Sequence, residues 1–558
     1  MIKKIKKFIY EKNLDGYIIP KNDTYFTEYS RTNNLSKVTN FTGSAGFCII
    51  LKKINYLFID GRYTIQAKKE SGKNFKIFEI PNILPKDLLK LKNYKIGFNP
   101  KLFTKMLLEK YFYKNTILVP VEFDFKNKPS KYLNKIFQLT NKVCGESSNT
   151  KFHKIKQYMK KKKIKYLFVS ASENVNWLLN IRGKDLPNSP LVNCKLIMPL
   201  NGKPHLFINS NKIPNLIKKK FENINICDEN SFFEIINKLK NGSFCIDKNT
   251  CSIFEECLIN SKFKIKHEID PIYYLKSIKN KTEIKNTQDA HILDGVALTK
   301  FLYWFKTNKK TISEKKIEVK LEKFRKRSKK YLYPSFDTIA GSGPNGAIIH
   351  YKSNNKTNRI LKKNDLLLLD SGGQYKWGTT DVTRTVCTRN VRGEIKNNFT
   401  RVLKGHIAVI NCDLNKNYSG YLIDKLARKP LRDVGLDYSH GTGHGVGFFS
   451  NVHEGPQGIT KYNNVKLENG MILSNEPGYY QKNKYGIRIE NLIYVKKFKK
   501  KIGFENLTYV PIDVDIINFK MLNSIEKKYL FDYHLSVYSK LSKFLNKYEK
   551  KWLINLIK

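Results

Sequence analysis

The amino-acid sequence predicts a chain that combines α/β and α+β architecture, with two related N-terminal α/β domains followed by a larger α+β domain. A length of 558 residues is more than one compact domain holds and indicates several. Helical and strand patterns alternate in the first half, in the same order in two successive segments. Long helical patterns then lie among paired strand patterns, which is typical of an α+β domain. We place the domains at 1–148, 149–272 and 273–558.

The elements of the first two domains follow from short apolar runs and from apolar residues at helical spacing. In the first domain we expect helices at 2–13, from Arg62 and in the 130s, and strands at 16–20, 46–52 and 55–59. The polar stretch GESSNT at 145–150 reads as a linker. In the second domain we expect helices at 151–163 and 172–183, and strands at 165–171, 194–200, 204–209 and 243–247.

The third domain carries longer elements. Its helices are predicted at 280–307, 312–328, 393–411 and 420–434. Paired strands are predicted at 337–350, 365–386, 471–490 and 491–496. The tail, 522–558, has an aromatic and leucine stripe typical of two packed helices.

The formal net charge of +55 raises the possibility of a nucleic-acid partner. Of the 103 basic residues, however, 90 are Lys and 13 are Arg, and the Lys are scattered along the whole chain. Asn and Ile, whose codons are A/T-rich like those of Lys, are also abundant. No motif that reads RNA or DNA accompanies the charge. We therefore favour compositional bias over nucleic-acid binding.

The cysteine pattern and the hydropathy bear on location. The nine Cys form no CxxC pair and no zinc-ribbon spacing, which fits free thiols in a reducing compartment. The basic N-terminal stretch lacks the apolar run of a signal peptide. No stretch of about 18 apolar residues predicts a membrane span. The expectation is a cytoplasmic protein without a membrane partner.

Two aspartates in the third domain are predicted to face each other. LLLLD ends a buried strand at Asp370, and DVTRTV begins the returning strand at Asp381. A hairpin centred between residues 375 and 376 would place the two carboxylates directly opposite each other on one face. Because two bare carboxylates would repel, a cation between them is the simplest resolution.

Two glutamates form a second pair. Glu476 follows the apolar run MILSN, and Glu490 lies within the apolar run GIRIENLIYV. A charged residue in such a run is rarely buried unless it is paired or bound to metal. Arg488 could neutralise only one carboxylate. Two hairpins, each carrying two carboxylates, are what a dinuclear metal site needs.

Histidines in a glycine-rich segment complete the donor set. HGTGHGVGFFSNVHEGP contains His440, His444 and His453, and His350 follows another apolar run. One nitrogen ligand and four carboxylates suit divalent ions such as Mn²⁺, Co²⁺ or Zn²⁺. Two such ions would balance four negative charges, and a water bridging them would be acidified into a nucleophile. The pattern predicts a two-metal hydrolase.

The motifs DTIAGSGPNGAIIHY, DSGGQYKWGTTDVTRT, HGTGHGVG, VHEGP, NEPGYY and GIRIEN resemble those of aminopeptidase P, a family of the pita-bread metallopeptidase superfamily. FTGSAG, DGRY and NWLLNIRG resemble the two upstream domains of its large, cytosolic, three-domain form. The resemblance covers nearly the whole chain. It implies a pita-bread catalytic domain behind two creatinase-like domains, and a homodimer.

The resemblance also implies residue roles. It implies two metal ions, with Mn²⁺ the expected metal and Zn²⁺ or Co²⁺ the alternatives. The implied ligands are His444 and Glu476 for the first ion, Asp370 for the second ion, and Asp381 and Glu490 bridging both. A metal-bridging hydroxide would attack the carbonyl of the peptide bond that precedes a proline in the second position of a peptide. The other implied catalytic and substrate-binding residues are His350, His453 and, in the pocket wall, His440, with Glu476 carrying the proton to the proline nitrogen.

Two alternatives remain open on the sequence. A prolidase, which cleaves only Xaa-Pro dipeptides, would use the same metal set, although the three-domain length argues against it. A non-enzymatic pita-bread module that binds nucleic acid or protein would suit the charge of +55. Such modules generally lose metal ligands, and this chain keeps all five.

Overall fold

The computed structural model describes residues 1–88, 93–112, 115–127, 134–387, 391, 393–499 and 501–557. The chain divides into two compact units, Met1–Tyr273 and Tyr274–Lys558. The domain boundaries predicted at 148/149 and 272/273 stay predictions. The helix predicted in the 130s lies partly outside the described residues, and its described part is wrong, because Phe137–Gln138 form a short strand that pairs with Ile181–Arg182. No helix in the described part of the chain is long and apolar enough to cross a membrane.

The first unit contains two six-stranded mixed sheets of identical topology. The first has the order β4-β3-β2-β1-β5-β6, with strands β1 (Gly16–Pro20), β2 (Phe47–Leu51), β3 (Asn55–Asp60), β4 (Lys76–Ile80), β5 (Lys95–Phe98) and β6 (Ile117–Pro120). The second has the order β10-β9-β8-β7-β11-β12, with strands β7 (Tyr166–Val169), β8 (Lys195–Pro199), β9 (His205–Phe207), β10 (Asn225–Cys227), β11 (Ser243–Ile246) and β12 (Lys264–His267).

The two sheets also agree in strand direction. In each, the first strand pairs antiparallel with the second and parallel with the fifth, and the third and fourth run parallel. This match confirms two related α/β domains. The helices are α1 (Ile2–Glu11), α2 (Asn34–Thr39), α3 (Thr64–Ser71), α4 (Pro85–Leu88), α5 (Lys105–Tyr111), α6 (Asn141–Cys144), α7 (Ser148–Lys161), α8 (Ser172–Leu179), α9 (Asn215–Lys220), α10 (Phe232–Lys238), α11 (Ile253–Asn260) and α12 (Pro271–Ser277), which crosses the division between the units.

The second unit packs long helices around short antiparallel sheets. Its helices are α13 (Lys281–Thr307), α14 (Glu314–Arg325), α15 (Gly393–Ile410), α16 (Gly420–Arg432), α17 (Ser524–Leu541) and α18 (Lys547–Ile557). Its strands are β13 (Tyr331–Pro334), β14 (Ile339–Ser342), β15 (Leu366–Ser371), β16 (Gly373–Tyr375), β17 (Gly378–Thr379), β18 (Val382–Cys387), β19 (Gly443–Gly445), β20 (Glu454–Ile459), β21 (Ile472–Asn475), β22 (Gly478–Gln481), β23 (Tyr485–Arg488), β24 (Asn491–Phe498) and β25 (Lys501–Asn506). The sheet orders are β13-β16-β17, β14-β15-β18, β20-β19-β21-β24-β25 and β22-β23.

The predicted strand 337–350 is wrong beyond Ser342. A 3-10 helix occupies Gly343–Ala347, and a turn follows. Gly343 has a φ of +50°, and Pro344 has no N–H to offer a neighbouring strand, so the ladder cannot continue.

The predicted pairing of Asp370 with Asp381 is also wrong by two positions. Asp370 lies opposite Thr383, and the hairpin turns one residue later than expected, so that Tyr375 pairs with Gly378. Gly378 packs against α13, where a Cβ would lie 2.7 Å from that of Ala290. This close approach favours glycine opposite Tyr375. Because the shift is an even number of residues, both carboxylates keep the same face.

Candidate metal centre

The five predicted ligands all lie at strand ends or in a short strand of the second unit. Asp370 is near the end of β15, and Asp381 immediately precedes β18. Glu476 follows β21 and Glu490 precedes β24, and the register of the flanking pairs makes them directly opposed. His444 is the middle residue of β19. Each hairpin therefore passes from one sheet to another where its carboxylates lie.

The structure brings these side chains into one cluster. Nε2 of His444 lies 3.5 Å from Oδ2 of Asp381 and 3.5 Å from Oε1 of Glu476. Potential ligand atoms of Asp381, His444 and Glu490 all lie within 4.8 Å of one another. Asp370 is close enough to raise the pKa of Asp381 by charge repulsion. Asp370 also accepts a 2.6 Å ion-pair contact from Nη2 of Arg488.

Concentrated negative charge perturbs the carboxyl groups. Burial, then repulsion from Asp370 and Glu476, raises the pKa of Asp381 well above its ordinary value. Burial and repulsion from Asp381 do the same to the pKa of Glu490, and burial raises the pKa of Glu476. Such a cluster favours either bound protons or bound cations, and cations are the more effective neutralisers.

The residues fit a pair of divalent ions. Oδ1 of Asp370 and Oδ1 of Asp381 are buried without a hydrogen-bond partner among the described residues, although buried acceptors are normally satisfied. Nδ1 of His444 lies 2.9 Å from the carbonyl oxygen of Gly445. Because a carbonyl can only accept, Nδ1 carries the proton, and the Nε2 lone pair faces the carboxylates. This is the tautomer that a metal ligand needs.

Hydroxyl groups hold both glutamates of the cluster in place. Thr383 donates a 2.8 Å hydrogen bond to Oε2 of Glu490. Ser474 donates a 3.0 Å hydrogen bond to Oε1 of Glu476 and accepts one from the backbone N–H of His444. These bonds hold the two carboxylates in the cluster, although their charges repel each other.

Family models match the chain from end to end. Metallopeptidase family M24 matches residues 285–497, and the C-terminal region of that family matches 500–558. Two models of the creatinase/prolidase N-terminal domain match 1–122 and 127–283. Xaa-Pro aminopeptidase 1 of Dictyostelium discoideum is 36% identical, with 100% of this chain and 95% of that protein covered. The chain belongs to the aminopeptidase P group of metallopeptidase family M24.

Other comparisons agree with this membership of family M24. Aminopeptidase P2 of Arabidopsis thaliana is 32% identical, with 97% of this chain and 85% of that protein covered. The crystal structure of X-prolyl aminopeptidase from Caenorhabditis elegans, described as a cytosolic enzyme with a di-nuclear active site, gives a TM-score of 0.91 at 29% identity, covering 98% of this chain and 95% of that one. A prolidase from Pyrococcus horikoshii OT3 gives 0.53 at 25% identity and covers 66% of this chain and 100% of its own. The predicted fold, two creatinase-like domains before a pita-bread domain, is confirmed.

Of the three other predicted site histidines, His453 contacts a residue of the cluster directly, whereas His440 and His350 connect to it through neighbouring residues. The ring of His453 stands nearly perpendicular to that of His444, with centroids 4.3 Å apart. Nε2 of His440 lies 2.8 Å from the hydroxyl of Tyr480. His350 follows Ile349, whose carbonyl oxygen lies 3.5 Å from Nη2 of Arg488.

The sequence did not predict the contacts of Tyr480. For Arg488 it predicted an interaction with one carboxylate but not the hydrogen bond to Tyr480. Arg488 donates 2.5 Å and 2.6 Å hydrogen bonds to the Tyr480 hydroxyl and to Asp370, respectively. A chain of polar contacts thus runs from His440 through Tyr480 and Arg488 to Asp370 in this aminopeptidase P relative. The neutralisation of one carboxylate by Arg488 was predicted from the sequence. Tyr480 could have been found only from the register of the β22–β23 hairpin, which the sequence does not define.

Proposed function

We propose that this chain is a dinuclear-metal aminopeptidase that releases the N-terminal residue from peptides with proline in the second position. The observation that carries the proposal is the cluster of four carboxylates and His444 in a chain similar over its whole length to Xaa-Pro aminopeptidases. The chemistry of a two-metal centre suits hydrolysis of an unactivated peptide bond.

Five side chains would hold two divalent ions, proposed to be Mn²⁺. The second ion would be held by Asp370, both ions by Asp381 and Glu490, and the first ion by His444 and Glu476. When bound, the ions would acidify a water and polarise the scissile carbonyl. The unpartnered Oδ1 atoms of Asp370 and Asp381 support these assignments.

Glu476 would transfer the proton from the attacking water to the leaving proline nitrogen. Its carboxyl group is buried in the cluster, and burial raises its pKa, so it can both accept a proton from water and give it up again. The substrate's proline nitrogen carries no N–H and must be protonated before it can leave. A carboxylate that Ser474 holds at a fixed angle is suited to that transfer.

Histidines would bind the substrate around the cluster. We assign to His453 a hydrogen bond to the oxyanion that develops on the scissile carbonyl, since its ring lies against that of His444. His440, held through Tyr480 and Arg488, would line the pocket. His350 would contact the substrate near its proline.

Location and assembly are extensions of the same proposal. The worm enzyme is described as cytosolic, and we propose a cytoplasmic location for this chain. We also propose a homodimer, without a nucleic-acid or membrane partner. Phe531 and Leu535 leave 48% and 46% of their surface exposed on α17, which a second copy could cover. A monomer in light scattering at micromolar concentration would contradict the dimer.

Substrate length tests the activity. Purified protein should release the first residue from an Xaa-Pro-Xaa tripeptide, and a chelator should abolish this. Turnover of Xaa-Pro dipeptides alone would instead identify a prolidase. Protein that binds no divalent ion and cleaves neither peptide would indicate a non-enzymatic binding module.

A further inference from the structure

We propose that Glu314, at the start of α14, is the positioning residue for His350. This inference rests on the proposed function, because it presumes that His350 meets the substrate. Glu314 is fully buried, with 0% of its surface exposed. A buried carboxylate is costly unless several donors satisfy it.

Among the described residues, every donor to this carboxylate comes from one stretch of chain, residues 342–359. Oε1 accepts hydrogen bonds from the backbone N–H of Ser342 at 2.7 Å, from its hydroxyl at 2.8 Å and from Nδ2 of Asn345 at 3.1 Å. Oε2 accepts from the Tyr351 hydroxyl at 2.6 Å, from the backbone N–H of Arg359 at 2.9 Å and from Nδ2 of Asn345 at 3.1 Å. Glu314 therefore closes this stretch into a loop.

His350 lies inside a turn that this loop fixes at both ends. The turn closes through the N–H of Tyr351 and the carbonyl of Ile348, 3.0 Å apart. Ile348 in turn donates its N–H to the carbonyl of Asn345 at 3.1 Å. Both Asn345 and Tyr351 bind Glu314, so the two residues between Ile348 and Tyr351 have little freedom.

Away from Glu314, the loop contacts the strand that carries Arg488, next to the candidate metal centre. The carbonyl of Ile349 lies 3.5 Å from Nη2 of Arg488, the same nitrogen that holds Asp370. A Cβ on Gly486 would lie 1.8 Å from the carbonyl oxygen of Gly346, so the loop meets β23 backbone to backbone. Glu314 thus fixes the turn that carries His350, and the residue before His350 contacts the same arginine that holds Asp370.

Glu314→Gln is a sharp probe. Each carboxylate oxygen faces one backbone N–H, that of Ser342 or that of Arg359, and neither can rotate away. Whichever way the glutamine amide turns, its NH₂ group confronts a donor. The loop must then move, and His350 with it.

Glu318→Gln is the matched control. Glu318 lies one turn further along α14, and the Ser353 hydroxyl of the same loop donates to it. Because a hydroxyl rotates, it can bond equally well to the oxygen of a glutamine side chain. This variant should retain wild-type activity.

The test is a double-mutant cycle of Glu314→Gln and His350→Ala on Xaa-Pro-Xaa cleavage, with metal content measured in parallel. We expect Glu314→Gln to lower kcat about 10-fold to 100-fold while both metals stay bound. Adding it to His350→Ala should lower kcat no further, since the positioned residue is gone. Losses that multiply in full, activity within twofold of wild type, or loss of metal would each overturn the proposal.

Two further readouts separate this inference from its foundation. If Glu314→Gln does not fold, Tyr351→Phe replaces it as the probe, because it removes one hydrogen-bond donor to Glu314 and keeps the aromatic ring. Its kcat should fall by less than that expected for Glu314→Gln, with both metals still bound. An unchanged kcat would overturn the proposal. If the wild-type protein cleaves no tripeptide, the proposed function fails. Hydrogen exchange of residues 343–351 then still tests whether Glu314 holds the loop in place. Faster exchange in Glu314→Gln than in Glu318→Gln supports this role, and equal exchange refutes it.

Discussion

Single residues decide the charge balance of the metal centre. Arg488 brings one positive charge to Asp370, whereas burial and repulsion raise the pKa of Asp381, Glu476 and Glu490. One guanidinium cannot neutralise four carboxylates. Divalent ions can, and the unpartnered oxygens of Asp370 and Asp381 indicate where they would bind.

His453→Ala should lower kcat about 100-fold and leave metal content unchanged, because we propose that its imidazole donates a hydrogen bond to the oxyanion and does not bind a metal. Steady-state kinetics and elemental analysis of the same preparation check both parts. Loss of metal would move His453 into the ligand shell.

Glu490→Gln should remove more metal than Asp370→Asn. Glu490 is proposed to bind both ions, whereas Asp370 is proposed to bind one. We expect metal content to fall from two ions towards none in the first variant and towards one in the second. Equal losses would refute the bridging assignment.

At the scale of elements, two hairpins carry the carboxylates and each changes sheet where they lie. The β15–β18 hairpin crosses at Gly372, where a Cβ would lie 2.0 Å from the carbonyl oxygen of Thr380. Thr380 immediately precedes Asp381. The crossing therefore depends on glycine, and it holds Asp381 close to the strand that bears Asp370.

Gly372→Ala should destabilise the fold by about 1–3 kcal/mol, the usual range for overpacking, and weaken metal binding by displacing Asp381. Gly393→Ala is the control, since a Cβ there meets no atom of the described residues within 4 Å. Thermal unfolding and metal titration of both variants measure the difference. Equal behaviour would mean that the crossing tolerates a side chain.

Helix α17 is docked through a buried neutral histidine, His534. Its Nε2 accepts the backbone N–H of Ile512 at 3.1 Å. Burial, aided by the charge of Arg384, lowers its pKa from 6.5 to about 4. Because the unfolded state binds the proton first, stability from this group is complete above pH 6.5 and is lost as pH falls towards 4.

This pKa shift of His534 corresponds to about 3 kcal/mol of folding free energy. When the pH falls from 7.5 to 4.5, the metal-free His534→Gln variant should therefore lose less stability than the metal-free wild type. The same substitution at the exposed His153 is the control. Unfolding temperatures at the two pH values check this. A parallel fall in all three proteins would show that His534 does not titrate as expected.

At the scale of the whole molecule, the sequence predicted most of the architecture and less of the fine geometry. Repeated element order foretold the two matching sheets, because hydrophobic periodicity is local. The hairpin tip was misplaced because its position depends on the contact of Gly378 with α13, which is tertiary. The strand expected through His350 ends before Gly343 and Pro344, and the loop that replaces it is held by Glu314, whose contacts with this stretch are tertiary.

The central claim is that two divalent ions in this cluster cleave the bond before a penultimate proline. Its most direct test is titration of metal-free protein with Mn²⁺ while Xaa-Pro-Xaa hydrolysis is followed. Activity should rise to a plateau at two ions per chain, and Asp381→Asn should stay inactive throughout. A plateau at one ion, or cleavage that persists in the metal-free protein, would contradict the account.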